Sequence, residues 1–459
     1  MNAHLLAWKG PASGAARSVG LGVPATSSPD VPSLMIDSRL LIDDFQPTAR
    51  RLGRKGVALS SLEAARDLVL RRRSELIALE EARRTINEGS AEVGRLMRSG
   101  RRAEADDRRR YLVEVKADLD GKEAALRSTE ELLDDVLSRL PNLPDDVVPD
   151  GKSEADNVVV RTHGYDPADY QGRVWRPHWE VATDLGIFDA ERASKLSGAM
   201  FSVLRGGGAR LLRSLVNFGL DLHRDRYEET VVPHLVHTDV ITKTGHLTKF
   251  DTQAYRLRDD ELWLLPTGEV ALMGLPQGEI LAEAALPKRS MTYTVCWRRE
   301  AGAAGKDTRG MQRLHEFHKV ELVTLCTPES SEQELATLLA DCERSLQTLG
   351  LPYRVLELCA GDLTFSASRV YDLEVYAPGV DKWLEVSSVS LVTDFQARRG
   401  GIRYRRDSGD IALVHSLNGS GLATPRVWAA IVEHGQQPDG TVRVPPALVP
   451  YVGAEVIAG

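Results

Sequence analysis

The stretch "CWRREAGAAGKDTRGMQRLHEFHKVEL", Cys296–Leu322, gathers Arg298, Glu300, Lys306, Arg309, Arg313, His315, Lys319 and Glu321 around a glycine-rich centre. A β-compatible run (Thr292–Trp297) leads in, "GAAGKDTRG" interrupts it, and "FHKVELVTL" resumes it. The pattern predicts strand, long loop, strand. A hairpin that presents several arginines suits an anionic substrate, because a guanidinium pairs bidentately with phosphate. Phe317, at the start of the second strand, offers a ring on which a base can stack. Charge alone favours a solvated hairpin, but the loop's length and the carboxylates Glu300 and Glu321 at its ends do not fit that easily.

Around this hairpin the texture is mixed. "GARLLRSLVNFGLDLHRDR" reads as a helix, whereas "YEETVVPHLV", "ELWLLPTGEV", "KVELVTL" and "WLEVSSVSLVTDF" are β-rich. Turns rather than regular helical crossovers separate the strands, which predicts an α+β domain on an antiparallel sheet flanked by helices.

Upstream the pattern is purely helical. Leu62, Ala65, Val69, Arg72, Leu76, Leu79, Arg83, Ile86, Ser90, Val93 and Met97 alternate three and four residues apart. After "RSGRRAEADDR" the spacing resumes at Leu112, Val115, Leu119, Lys122, Leu126, Thr129, Leu133, Val136 and Leu140. Two such seams joined at Gly100 predict an antiparallel helical hairpin, each arm roughly 55 Å long at the helical rise. Residues 66–110 hold 13 Lys/Arg against 9 Asp/Glu, in a chain of net charge −8. A dimerising coil or a solvated face accounts for that surplus, and so does contact with a phosphate backbone through Arg95, Arg98, Arg101 and Arg102 near the tip.

"PNLPDDVVPDGKSEADN" (141–157) reads as a proline-punctuated linker. The chain therefore divides into residues 1–34, an arm over 35–140, the linker, and a second domain over 158–459. The first segment is small, polar and free of acids before Asp30. It reads as a disordered or mis-started extension ahead of Met35, with an organelle transit peptide as the alternative. Cys296, Cys326, Cys342 and Cys359 lack CxxC pairing, so neither a disulfide framework nor structural zinc is expected in a cytoplasmic chain. No run approaches the roughly 20 apolar residues of a membrane span.

The opening stretch resembles motif 2 of the class II aminoacyl-tRNA synthetases, specifically the bacterial seryl-tRNA synthetases. Further signatures follow in order. "GARLLRSLVNFGLDLHRDRYEETVVPHLV" is similar to motif 1, with Pro233 at the dimer interface, and "GHLTKF" and "PTGEV" resemble the substrate loop and Thr-x-Glu element. "LEVSSVSLVTDFQARR" and "LNGSGLATPR" match the segments before and within motif 3, and the arm and linker match the tRNA-binding domain and its connection. The resemblance covers residues 35–459. Trp297, Glu316 and Leu391 depart from the residues usual in the family at those positions.

The resemblance implies a homodimer that uses ATP and Mg²⁺ to activate L-serine and passes it to tRNA(Ser), and to tRNA(Sec) as well. It implies that Arg298 contacts the ATP α-phosphate with Glu300 beside it, that Phe317 stacks on adenine, and that Arg426 holds the γ-phosphate side. Glu385, Val386, Ser387 and Ser388 fall on the ATP side, with Glu385 and Ser388 matching the metal ligands. Thr267 and Glu269 match the element that grips the amino acid, and Glu321, Asn418 and Ser420 the pocket that reads the serine hydroxyl. Such chemistry needs positioning and positive charge more than a protein nucleophile. Two other readings belong beside it: a paralogue activating serine or an analogue for a biosynthetic or resistance role, and a non-catalytic RNA-binding homologue. The intact arm favours tRNA over a carrier protein, and the retained Arg298, Glu300, Glu385 and Arg426 favour an enzyme.

Overall fold

The computed structural model describes residues 36–247, 251–301 and 308–459. The expectations for residues 1–35, Thr248–Phe250 and Lys306 lie outside the described residues.

Helices α1 (Leu59–Arg98) and α2 (Arg102–Ser138) form the hairpin, turning through Gly100 at φ 78°. A positive φ is open to glycine without a Cβ clash, so the turn sits where the sequence offers one. The seam differs from the expected one in its middle. Ala82 and Gly89 are buried there, while Arg83 and Ser90 face solvent. Small residues let the helices approach: a Cβ on Gly89 would come within 2.6 Å of Leu112 Cδ2. Arg72 and Arg83 leave the seam and pair across the helices with Glu130 (3.0 Å) and Glu123 (2.8 Å). At the root, Leu62, Ala65 and Val69 of α1 and Leu133 and Leu137 of α2 pack with Leu41, Phe45 and Leu52 of two short preceding helices.

The second region is built on an eight-stranded sheet. Its strands are β1 (Val158–His163), β2 (Glu228–Glu229), β3 (Lys288–Trp297), β4 (Glu316–Cys326), β5 (Tyr353–Glu357), β6 (Arg369–Ala377), β7 (Lys382–Thr393) and β8 (His415–Ala423). They lie in the order β1-β5-β6-β7-β8-β4-β3-β2. Every pairing is antiparallel except the edge contact of β2 with β3. Helices α3 (Gly206–His223), α5 (Ser331–Leu349) and α7 (Thr424–His434) cover one face; α4 (Gly268–Gly274) and α6 (Phe395–Gly400) serve the other.

Two β-rich stretches resolve differently from the expected strands. "ELWLLPTGEV" is strand only over Leu262–Leu264, and "GEV" opens α4 with Thr267 as its cap. "YEETVVPHLV" splits around Pro233, which lacks the N–H a continuous ladder needs, into β2 and Leu235–His237. The linker is not a free tether. Asn142 and Val148 are each 3% exposed, and Arg54 meets Asp150 at 2.7 Å.

Candidate active site

Strand β4 shows how the site is made. Side chains two apart share a face. Val320 and Leu322 point into the helix-covered core, whereas Phe317, Lys319 and Glu321 line a cavity of about 560 Å³ on the other side. On β8, Ser420 lies directly opposite Glu321, and Asn418 follows on the same face. Glu385 and Ser388 on β7 are three apart, which a regular strand would send to opposite faces. The register slips between Glu385 and Ser387, so Val386 is a bulge and the two residues come to one side. Both line the cavity.

All thirteen candidates of the catalytic half, from Thr267 to Arg426, line this one cavity. Arg95, Arg98, Arg101 and Arg102 stand exposed at the tip of the arm, on both sides of Gly100.

Arg298 and Arg426 both line the cavity. Arg426 Nε donates to the Gln312 carbonyl at 2.9 Å and its Nη1 to the Glu385 carbonyl at 2.6 Å. The Arg298 guanidinium lies 5.1 Å from the centroid of Phe317, over the ring face expected to take adenine. Glu300 has φ 48°, a left-handed conformation that strains a side-chain-bearing residue. Neighbours hold it there. Arg313 Nε donates to the Glu300 carboxylate at 2.6 Å, and Gln253 bonds both the N–H (2.9 Å) and the carbonyl (2.7 Å) of Ala301.

Among the buried polar groups of the cavity, Thr267, Glu269, Lys319 and Glu321 are already paired. Thr267 Oγ1 donates to Glu321 (2.6 Å) and accepts from Lys319 Nζ (2.8 Å), and Lys319 also contacts the Glu321 carboxylate. Gln396 Nε2 donates to Glu269 at 2.6 Å, while Gln396 Oε1 accepts from Ser416 at 2.8 Å. Burial pushes both Glu269 and Glu321 above the ordinary carboxylate range, with the positive charge of Lys319 pulling each back. His246 approaches Glu269 at 3.7 Å, but burial and the nearby Arg298 and Lys319 charges hold it down to about 4.

The close approach of α4 to the sheet needs Gly268: a Cβ there would come within 2.7 Å of Thr292 Cγ2. Beyond the hairpin loop, Gly310 returns at φ 61° against His178. His178 Nε2 accepts the Met311 N–H at 2.9 Å and Nδ1 meets Glu433 at 2.8 Å, so the imidazole donates from Nδ1.

The supporting role of Lys319, Gln396, Arg313 and Gln253 was not legible beforehand. Lys319 had a signal, since it lies between Phe317 and Glu321 at period two. Gln396 had none, because only the tertiary fold brings it to Glu269. All three departures are accommodated in the sheet: Leu391 is 2% exposed in the core, and Trp297 and Glu316 pair opposite each other. Burial pushes Glu316 up.

Comparison with known proteins agrees with this arrangement. Residues 250–435 match the model of the tRNA synthetase class II core domain (G, H, P, S and T), and residues 35–144 that of the seryl-tRNA synthetase N-terminal domain. The serine–tRNA ligase of Thermotoga neapolitana is 46% identical over 428 residues, covering 92% of this chain and all of the relative. That of a Synechococcus strain is 44% identical, covering 92% of this chain and 99% of the relative. The crystal structure of seryl-tRNA synthetase from Pyrococcus horikoshii complexed with ATP superposes with a TM-score of 0.87 at 32% identity, over 92% of this chain and 99% of that one. The cytoplasmic serine–tRNA ligase from Naegleria fowleri in complex with AMP gives 0.83 at 25% identity, over the same shares. The chain belongs to the seryl-tRNA synthetases of class II.

Proposed function

We propose that this chain activates L-serine with ATP to seryl-adenylate and transfers the seryl group to the 3′ end of tRNA(Ser), and to tRNA(Sec) by the same route. The observation that carries the reading is one cavity that holds both the guanidinium groups of Arg298 and Arg426 and the buried carboxylates of Glu269 and Glu321. ATP is an anion, and serine brings an ammonium and a hydroxyl.

Arg298 draws charge off the α-phosphate as a serine carboxylate oxygen attacks phosphorus and the bond to pyrophosphate breaks. Arg426 orients the leaving pyrophosphate. For Arg298 to serve while Phe317 stacks on adenine, its guanidinium swings off the ring. Val386 and Ser387 complete the nucleotide side, and Glu300, fixed by Arg313, borders it. Glu385 and Ser388 offer hard oxygen donors on one face, a set suited to Mg²⁺ completed by substrate phosphates. A bound Mg²⁺ would offset phosphate charge. Glu269 takes the serine ammonium with Thr267 beside it, and Glu321, Asn418 and Ser420 read the hydroxyl. A site whose buried polar atoms need that hydroxyl rejects analogues lacking it by about 10⁴ or more. In the second step the terminal tRNA hydroxyl attacks the adenylate carbonyl carbon and AMP leaves.

Arg95, Arg98, Arg101 and Arg102 would neutralise tRNA phosphates at the arm's tip. Val231, 93% exposed beside Pro233, leaves an apolar side chain for a second copy to cover, which supports a homodimer. No described helix is long and apolar enough to cross a membrane. A cytoplasmic location, where tRNA is charged, is part of the proposal. Serine- and Mg²⁺-dependent ATP–pyrophosphate exchange, then seryl transfer to tRNA(Ser), tests the reading. Absence of exchange overturns it, and sedimentation as a monomer that stays fully active overturns the dimer.

A further inference from the structure

The root of the arm reaches the wall of the catalytic cavity. Thr364, Phe365 and Ser366 line that cavity, in a segment with neither helix nor strand of its own. Four consecutive carbonyls there, Thr364 to Ala367, accept from two residues that precede the sheet. Lys55 Nζ donates to Thr364 O at 2.8 Å and to Ala367 O at 2.9 Å. The Asn142 backbone N–H donates to Phe365 O at 2.9 Å, and its Nδ2 to Ser366 O at 2.9 Å. Lys55 also donates to the Asn142 carbonyl at 3.2 Å, which joins the two donors into one clamp. Asn142 Nδ2 further reaches Val392 O (2.7 Å) and Thr393 Oγ1 (3.2 Å) at the end of β7.

The wall leans on the amino-acid side. Phe365 meets Phe395 edge to face at 5.7 Å, and Phe395 opens α6. Gln396, the next residue, holds Glu269. One turn further along α6, Arg399 is 3% exposed, lies 4.3 Å from the Phe395 ring centroid and donates to the Ser138 carbonyl at the end of α2. Helix α6 is therefore tied to the Glu269 carboxylate at one position and to the arm at another. An irregular segment keeps its path only while its backbone groups are satisfied, and here the donors come from Lys55 at the arm's root and Asn142 at the start of the linker.

We propose that Lys55 and Asn142 are positioning residues for the amino-acid site, acting through the Thr364–Ala367 wall and α6 on Glu269. The seat of the arm then belongs to the activation step, which uses no tRNA, as well as to tRNA binding. This rests on the activity proposed above.

The test is ATP–pyrophosphate exchange by the full-length protein without tRNA, for the unaltered chain and for Lys55→Met, Lys55→Arg and Asn142→Asp. The last keeps side-chain volume but replaces an amide donor with a carboxylate facing carbonyl oxygens. Melting temperatures are read alongside, and assays run well below them. The KM for serine should rise roughly tenfold in Lys55→Met and Asn142→Asp, with the KM for ATP moved less than about twofold, and Lys55→Arg should recover most of the loss. Serine KM unmoved in both variants overturns the inference. So does an equal rise of both KM values, or a loss that only tracks the unfolded fraction. If the unaltered chain shows no serine-dependent exchange, the activity reading itself fails and this inference with it; normal exchange with unmoved variants breaks the inference alone.

Discussion

On the arm, Arg72 and Arg83 reach Glu130 and Glu123 with their side chains 44% and 56% exposed; in the cavity, Lys319 meets Glu321 with side chains 7% and 2% exposed. The same kind of pair does different work in the two places. In water an ion pair gains little, because solvent screens it and two long side chains lose freedom. In the cavity each charge has given up its hydration, so breaking one partner strands the other. The arm can therefore present arginines to a polyanion at little cost to its fold. The cavity keeps its buried charges Glu269, Lys319 and Glu321 paired within the protein.

The sharpest break in that comparison is Arg298→Ala. It removes a cation from the cavity and should lower the rate of serine-dependent exchange by about 10² to 10³; a variant that exchanges like the unaltered enzyme would sink the role of Arg298. Charge reversal at Arg95, Arg98, Arg101 and Arg102 comes next. It should lower kcat/KM for tRNA by roughly tenfold to a hundredfold and flatten its salt dependence, while exchange without tRNA changes far less. If both reactions fall together, the division of labour between arm and cavity is wrong.

Gly310→Ala probes how tightly the cavity side is built. The position has φ 61°, and a Cβ would come within 2.3 Å of His178 Nε2, the acceptor for Met311. Denaturant unfolding should show a loss of about 1–3 kcal/mol. A pH series addresses the buried carboxylates. Burial raises Glu269, so the protonated form that cannot hold an ammonium appears at a higher pH than for an ordinary glutamate. As pH falls through that raised value, the KM for serine should climb by up to about tenfold per pH unit. Glu269→Gln should flatten the profile. The smallest effect belongs to Arg83→Ala on the arm, expected to change stability by less than about 1 kcal/mol and to matter less as salt rises.

Much of the molecule was legible in its residues. The three-four spacing on either side of Gly100 marked both arm helices, because a helix that buries one stripe repeats at its own pitch. The seam failed at Arg72, Arg83, Ser90 and Met97, which were expected inward and stand exposed. Spacing cannot tell an arginine from an alanine one residue away when close packing, as at Gly89 against Leu112, selects the smaller. "PTGEV" misled for a related reason: apolar residues near a strand do not reveal that Thr267 caps a helix.

The residue types that line the cavity, their order along the chain and the alternation that puts Phe317, Lys319 and Glu321 on one face of β4 were set by the sequence alone, since period two is a property of any extended strand. The fold alone decided three other things. One was the bulge at Val386, which brings Glu385 and Ser388 to one face. Another was the contact of Gln396 with a glutamate 127 residues away in sequence. The third was the seating of Lys55 and Asn142 on the cavity wall. Each is a long-range hydrogen bond or a register slip, and neither leaves a period in the local sequence, because its partner is chosen by packing between segments rather than by neighbours along the chain.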